Sequence, residues 1–469
     1  MLKFSALWLV LFSLSVNSEP WIKTSEIQLR SDIEVLADIG IIRVPVTSFP
    51  LMWAGIIKDI DNTDIQDVPS NYKDAFWRVK RAGKASISDR PLKRLSFSAA
   101  TGEQVLRSFG DSSRDKAMLT ASRSNMSKQF AWNMQVNRVV DPYDGDTLHY
   151  DGSYVAGIWG NWVASLGYVE KWWGASWDSA NLLSNNARAP LGITLNRNYS
   201  DATKLPLLSW LGQWNISGFI SRLDDEREIY KPYFSGITLS IKPLDSFEFS
   251  FRSVSISEGT TDNLLVDIEP KIITGVDLRW NVSRSIASLG LPTSFYLSAT
   301  DEEQNSDFST LQYGLTTSFK IYNKDWRFFV ETSRTMPGNS GDDIYNVTYE
   351  DDIYKTGYRY NRRSIGSTFD NYSRVTSLGV FGKLSADQSL SIKLQDLLIN
   401  EGDYSDVQDI NHSVSFTPVK IKRLVLNWDY QYDKFNKIKL DIDLSDTVFD
   451  SLERLNDKYR MSLNWTRFL

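Results

Sequence analysis

Leu311-Gln-Tyr-Gly-Leu-Thr-Thr-Ser-Phe-Lys-Ile321 alternates along its whole length. Leu311, Tyr313, Leu315, Thr317, Phe319 and Ile321 fall on one face; Gln312, Gly314, Thr316, Ser318 and Lys320 fall on the other. Successive side chains of a strand point to opposite faces, so a period of two predicts a strand with one apolar and one polar side. The same pattern recurs up and down the chain. Phe130, Trp132, Met134 and Val136 oppose Ala131, Asn133, Gln135 and Asn137; Phe247, Phe249 and Phe251 oppose Glu248, Ser250 and Arg252. Leu424, Leu426, Trp428, Tyr430 and Tyr432 oppose Val425, Asn427, Asp429, Gln431 and Asp433, and Ile438, Leu440, Ile442 and Leu444 oppose Lys439, Asp441 and Asp443. Roughly 18 to 20 such strands of about 10 residues can be drawn, the length a tilted strand needs to cross a bilayer.

A soluble sandwich or propeller would show the same alternation. Further features favour an all-β transmembrane barrel of about 18 antiparallel strands. The chain opens with Met1-Leu2-Lys3, an apolar run from Phe4 to Val16, and Ser18, which reads as a secretory signal peptide over 1–18. It closes with Tyr459-Arg-Met-Ser-Leu-Asn-Trp-Thr-Arg-Phe-Leu469, an alternating strand with aromatics near its ends, similar to the closing strand of outer-membrane barrels. Gly152 to Val169 carries no charge over 18 residues, yet its four glycines and the Gly160-Asn161 pair predict two strands and a turn rather than a membrane helix. The polar linkers 257–270, 301–310, 336–353 and 400–409 suit long extracellular loops.

Residues 19–90 follow a helical period instead. Ser25 and Gln28 have capping-box spacing ahead of Leu29, Ile33 and Leu36, and Gly40 suits a helix stop. Pro50 and Pro69-Ser70 suggest two further helix starts, with Trp53, Ile56, Ile57 and Ile60 on one stripe and Tyr72, Phe76 and Val79 on another. The domain expectation is therefore a small α-helical bundle or plug over 19–90 and a barrel over 91–469.

Composition narrows the function. The chain has 469 residues, a net charge of −6, no cysteine and two histidines, His149 and His412. This excludes disulfides, thiolate chemistry and cysteine-held zinc, and disfavours a His-based triad or a nucleic-acid partner. Asp141-Pro-Tyr-Asp-Gly-Asp146 and Asp224-Asp-Glu226 read as polar turns rather than a calcium loop or a catalytic pair. No cofactor or metal is expected.

The densest chemistry is Glu170-Lys-Trp-Trp-Gly-Ala-Ser-Trp-Asp-Ser-Ala-Asn-Leu-Leu-Ser-Asn-Asn-Ala-Arg188, running on to Arg197. It resembles the signature of the capsule assembly Wzi family through Trp172, Trp173, Gly174, Trp177, Asp178, Ser179, Leu183, Ser184, Asn186, Ala187, Arg188 and Arg197; Ala175-Ser176 and Ala189 depart from it. Further matches are Tyr354-Lys-Thr-Gly-Tyr-Arg-Tyr360 with Arg363-Ser-Ile-Gly366, the segment Leu29–Gly40, and Asp151-Gly-Ser-Tyr154 with Gly160-Asn-Trp162; Arg362 and Ser367 depart from the pattern.

The resemblance implies a monomeric Gram-negative outer-membrane barrel with its helical bundle at the periplasmic end. It implies a lectin-like protein that holds capsular or related exopolysaccharide on the cell surface and is not an enzyme. Outer-membrane lipid would surround it. The residues it points to for polysaccharide are Trp172, Trp173, Trp177, Asp178, Asn186, Arg188, Arg197, Tyr354, Tyr358, Arg359 and Tyr360. Trp and Tyr can stack on sugar rings while Asp, Asn and Arg bind hydroxyls and acidic groups. The same residues could instead brace the barrel interior, with Asp178 salt-bridged to Arg188 or Arg197. Two rival functions remain at this stage, a sugar channel and an outer-membrane hydrolase.

Overall fold

The computed structural model describes residues 19–111, 114–259, 269–285, 290–302, 308–336, 348–401, 412–451, 454–455 and 458–469. The expected signal peptide and most of the four expected long loops lie outside these residues.

The alternating segments form a closed antiparallel barrel of 18 strands. In chain order they are β1 Leu92–Ala100, β2 Ala117–Met126, β3 Phe130–Val140, β4 Tyr154–Trp159, β5 Trp162–Gly167 and β6 Gly192–Arg197. Next come β7 Gln213–Arg222, β8 Tyr233–Leu244, β9 Phe247–Ser257, β10 Lys271–Asn281, β11 Thr293–Glu302 and β12 Thr310–Ile321. The last six are β13 Lys324–Arg334, β14 Arg374–Lys383, β15 Gln388–Ile399, β16 Val419–Gln431, β17 Asn436–Ser445 and β18 Tyr459–Phe468. β18 pairs with β1, Trp465 opposite Phe97, and leaves no free sheet edge in the ring. Gly152–Val169 contains β4 and β5, joined at Gly160-Asn161 with Gly160 at φ +55°.

The apolar faces point outward. Ile237, Phe251, Val276, Leu297 and Tyr313, on five consecutive strands, are 42–52% exposed. Their inward neighbours Thr238, Arg252, Asp277, Ser298 and Gln312 are buried. A soluble fold would hide the first set; a bilayer covers it. Long connections such as 141–153 and 168–191 fall at one end, and turns such as Tyr322-Asn323 at the other. Those two residues have φ of 49° and 57°, the left-handed pair a tight hairpin needs. The long-loop end is extracellular by the rule for such barrels.

Residues before β1 form three helices: α1 Ile27–Asp38, α2 Trp53–Asp61 and α3 Lys73–Ser86. The expected capping box does not form, since the helix begins one residue later, with Glu26 as N-cap and no side-chain cap bond. The helices bury Ile33, Leu36, Ile56, Ile60, Phe76 and Val79 in one core. Their polar sides are ion-paired to the barrel wall. Arg327 donates to Ser31 Oγ at 3.0 Å and Glu34 at 3.2 Å. Arg279 and Asn281 both reach Asp38 at 2.5 Å. The Glu248 carboxylate accepts the backbone N–H groups of Val46 at 3.0 Å and Thr47 at 2.9 Å. The helical segment is thus a plug fastened inside the lumen.

Candidate functional site

The loop between β5 and β6 carries the signature and does not project outward. It turns back into the lumen and meets the plug. Trp172 and Trp173 pair antiparallel with Phe49 and Ser48 of the plug. The Trp173 N–H donates to Leu183 O at 2.8 Å and the Gly174 N–H to Thr47 O at 2.9 Å. Trp172 is fully buried in the same core as α1, edge-on to Phe109 at 5.5 Å, and Trp173 packs on Phe219 at 5.6 Å.

Trp177 is the centre of this contact. Its ring lies 4.9 Å from Phe381 and 6.4 Å from Phe329. The guanidinium of Arg30 stands 4.0 Å above it, a desolvated cation–π contact. The backbone N–H groups of Trp177 and Asp178 donate to the Glu331 carboxylate at 3.0 and 2.8 Å, and Tyr296 OH donates to it at 2.7 Å. Gly314 makes room for that tyrosine: a Cβ there would sit 2.5 Å from the Tyr296 hydroxyl.

Asp178 departs from its expected partners. It binds neither Arg188 nor Arg197. Its carboxylate takes Lys393 Nζ and Gln395 Nε2 at 2.5 Å, Ser108 Oγ at 2.7 Å, and Ser377 Oγ. Burial opposes ionisation here, and the Lys393 ammonium with these donors more than offsets it, so the carboxyl pKa is lowered. Arg188 instead binds three aspartates, Asp144 at 2.6 Å, Asp115 at 3.0 Å, and Asp151. Asp144 therefore serves as an arginine partner within the turn that had suggested a calcium loop. Asn186 donates to Ser364 O at 3.3 Å.

The second motif is equally enclosed. Tyr358 OH donates to Leu182 O at 2.7 Å and Tyr354 OH to Glu258 O at 3.2 Å. Arg359 grips Asp370 at 2.8 and 3.0 Å and Glu350 at 2.6 Å. Arg197 does not join the others. It lies with Ile193 and Leu195 on the outward face of β6, at the periplasmic end, 3.6 Å above the Trp214 ring. Of the eleven residues singled out from sequence, Tyr360 is the half-buried one; the rest are buried.

Several residues that matter here had no local signal. Glu170 is held by Thr24 Oγ1 at 2.5 Å, Arg107 at 3.0 Å and Arg114 at 3.5 Å. Burial would raise its pKa, but the two guanidiniums and the threonine hold it at about 2. A cavity of about 440 Å³ runs between plug and wall, from the turn at Ala386-Asp387 up to Asp151 and Tyr168, with Arg94, Asp429 and Lys437 along it. Above it lies the mouth. Tyr150, 45% exposed, stacks on Tyr168 at 6.5 Å. Tyr360 faces Asp224, Asp151 and Tyr168, whose charges add to burial in raising its hydroxyl pKa. Rings with open faces beside carboxylates are what a pyranose needs. The Asp151-Gly-Ser-Tyr154 match was the sequence pointer to this corner.

The barrel is similar to Wzi of Escherichia coli, described as an outer-membrane protein involved in group 1 capsule assembly and a carbohydrate-binding β-barrel. The two share 18% identity and a TM-score of 0.81, over 93% of this chain and 97% of that one. Weaker likenesses include OprD of Pseudomonas aeruginosa, 9% identical at TM-score 0.43 over 81% of this chain and 92% of that one. Another is OccK3 of the same organism, 11% identical at TM-score 0.43 over 81% and 95%. No curated protein sequence matches the chain. The family profile for capsule assembly protein Wzi matches residues 87–458, and the chain belongs to that family.

Proposed function

We propose that this outer-membrane barrel holds capsular or related exopolysaccharide on the cell surface and neither conducts nor cleaves it. One observation carries the reading: the lumen is narrowed from both ends, by the ion-paired plug and by the inturned signature loop, to a cavity along one wall, while open aromatic faces beside carboxylates remain at the extracellular mouth. The family's description as capsule assembly proteins agrees.

In this reading Trp172, Trp173, Trp177, Asp178, Asn186, Arg188, Tyr354, Tyr358 and Arg359 are braces that shape the mouth. Tyr360, Tyr150 and Tyr168 touch the polymer. Arg197 on Trp214 anchors the barrel at the lipid interface, where such rings settle. A single chain that closes its own ring supports a monomer. Single sugar contacts are weak, and many barrels along one polymer supply the avidity.

Two features speak against the rivals. Asp178 and Asp370 sit buried in ion pairs with no free face for acid–base work, and Glu170 is held ionised by two guanidiniums. A wide, porin-like path would need the plug to leave. Deletion in the native host tests the proposal. Total polymer should stay constant while the cell-bound share moves to the medium; an unchanged distribution refutes it. Steady large conductance from the purified protein would favour the channel.

A further inference from the structure

Behind the signature loop, on the side facing β7 and β8, lies a second and much smaller cavity, of about 30 Å³. Lys171 and Asn185 both line it, with Phe219, Phe234 and Ser221 from the wall. Lys171 is about nine-tenths buried. Its ammonium has three donors. Among the described residues it has one hydrogen bond, to Val169 O at 3.1 Å, and the face of Phe219 at 4.5 Å. No carboxylate of the described residues lies within ion-pair distance of it.

Asn185 is odder. Its backbone carbonyl is held by Arg107 at 2.6 Å and Arg114 at 3.0 Å. Its side chain is buried, and neither Oδ1 nor Nδ2 has a partner among the described residues. Folded proteins rarely leave such groups unmade. The other charged residues lining the cavity are already balanced: Glu170 by Arg107 and Arg114, Arg188 by its three aspartates. The side chains contributed by β7 and β8 carry no titratable group. What Lys171 lacks, among the described residues, is an anion in direct contact with its ammonium.

We propose that Lys171 and Asn185 form a pocket for the carboxylate of an acidic sugar in the bound polymer. This rests on the polysaccharide reading above and names its ligand class. A volume of about 30 Å³ suits one carboxylate, since one water needs roughly 10–15 Å³. The carboxylate would take two ammonium protons and the Asn185 amide. Burial lowers the Lys171 pKa to about 7, so an anionic ligand would draw a proton onto it.

The test is calorimetric titration of the full-length protein in detergent with sodium glucuronate, with glucose and sodium propionate as controls. Glucuronate should bind and the controls should be at least about tenfold weaker, a difference of ~1.4 kcal/mol. Lys171→Met and Asn185→Ala should each weaken glucuronate about tenfold or more. Should Lys171→Met not fold, the wild type still decides: glucuronate affinity should fall roughly tenfold per pH unit above pH 7, as the ammonium is lost. Equal affinity in wild type and Lys171→Met, propionate binding as tightly as glucuronate, or affinity flat from pH 6 to 9 would each overturn the pocket. Polymer release on gene deletion is read separately, so a failed pocket leaves the tether standing, and a failed tether is seen without the pocket.

Discussion

Asp178 and Lys171 lie seven positions apart on one buried loop, and the chain treats them in opposite ways. Asp178 has an ammonium, an amide and two hydroxyls on its carboxylate. Lys171 has one carbonyl and one ring. Burying a charge costs several kcal/mol unless a partner is placed for it. The Asp178 side, which faces β14 and β15, is fully compensated within the chain and acts as a brace. The Lys171 side, which faces β7 and β8, is compensated only if something else arrives. Whether the facing stretch of wall supplies a counter-charge separates architecture from recognition.

The largest effect expected is at the compensated side. Asp178→Ala strands Lys393 inside the lumen, and losing one partner of a buried pair costs about 3–5 kcal/mol. Thermal unfolding in detergent, followed by tryptophan fluorescence, should show a clear fall in midpoint. Adding Lys393→Met should restore most of it, because the orphaned charge is removed as well. If the double variant is no better than the single, Asp178 acts through something other than its counter-charge.

Acid is a gentler probe of the same side. Glu170 and Asp370 both have their pKa held at about 2, against burial, Glu170 by Arg107 and Arg114 and Asp370 by Arg359. A depressed carboxyl pKa adds stability that is present above the unfolded value near 4 and is lost as pH falls through 2. Each site should contribute about 2–3 kcal/mol, disappearing between roughly pH 5 and 2. Glu170→Gln and Asp370→Asn should flatten that part of the pH–stability curve; unchanged slopes would mean the pairs are not formed.

What could be read in advance follows the range of the forces involved. The strands were legible because a bilayer outside and a polar lumen inside impose a period of two on every one of them. The chain-closing strand was legible for the same reason, with Tyr459, Met461 and Leu463 outward. The outward placement of Arg197 was legible too, from its parity with Ile193 and Leu195, but motif spacing pointed the other way. Asp178's partner was not: Lys393 is 215 positions away, and nothing local announces it. The start of α1 was missed because Ser25 and Gln28 have the right spacing without making the bond. Lys171 and Asn185 had no signal at all, since a missing partner exists only in three dimensions.

Removing the charge on the uncompensated side should have the opposite effect on stability, although the pH trend runs the same way. The pKa of Lys171 is near 7 in the folded chain and near 10.5 when unfolded. Between these values the unfolded chain holds a proton the folded chain has lost, so stability rises with pH. From pH 6 to 8 the wild type should gain about 1 kcal/mol relative to Lys171→Met. At pH 6 the methionine variant should be at least as stable as the parent, whereas no removal of Asp178's charge alone should be. A loss of stability in Lys171→Met at pH 6 would place Lys171 among the braces and erase the contrast.

The mouth should give the smallest stability change and a functional one out of proportion to it. Tyr150 is 45% exposed and Tyr168 half-buried, and their contact is a loose stack at 6.5 Å. Truncating both to alanine removes little that the fold relies on, within about 1 kcal/mol. It does remove the two open faces on which a sugar ring could lie, each worth on the order of 1 kcal/mol. One barrel would lose a modest factor in affinity. A polymer held by many barrels multiplies that factor at each attachment, so retention on cells should fall much further than single-site binding does. Cells carrying Tyr150→Ala/Tyr168→Ala should shed polymer while the barrel's thermal midpoint stays near wild type. Full retention would move the contact surface away from these tyrosines, towards the small pocket behind the loop.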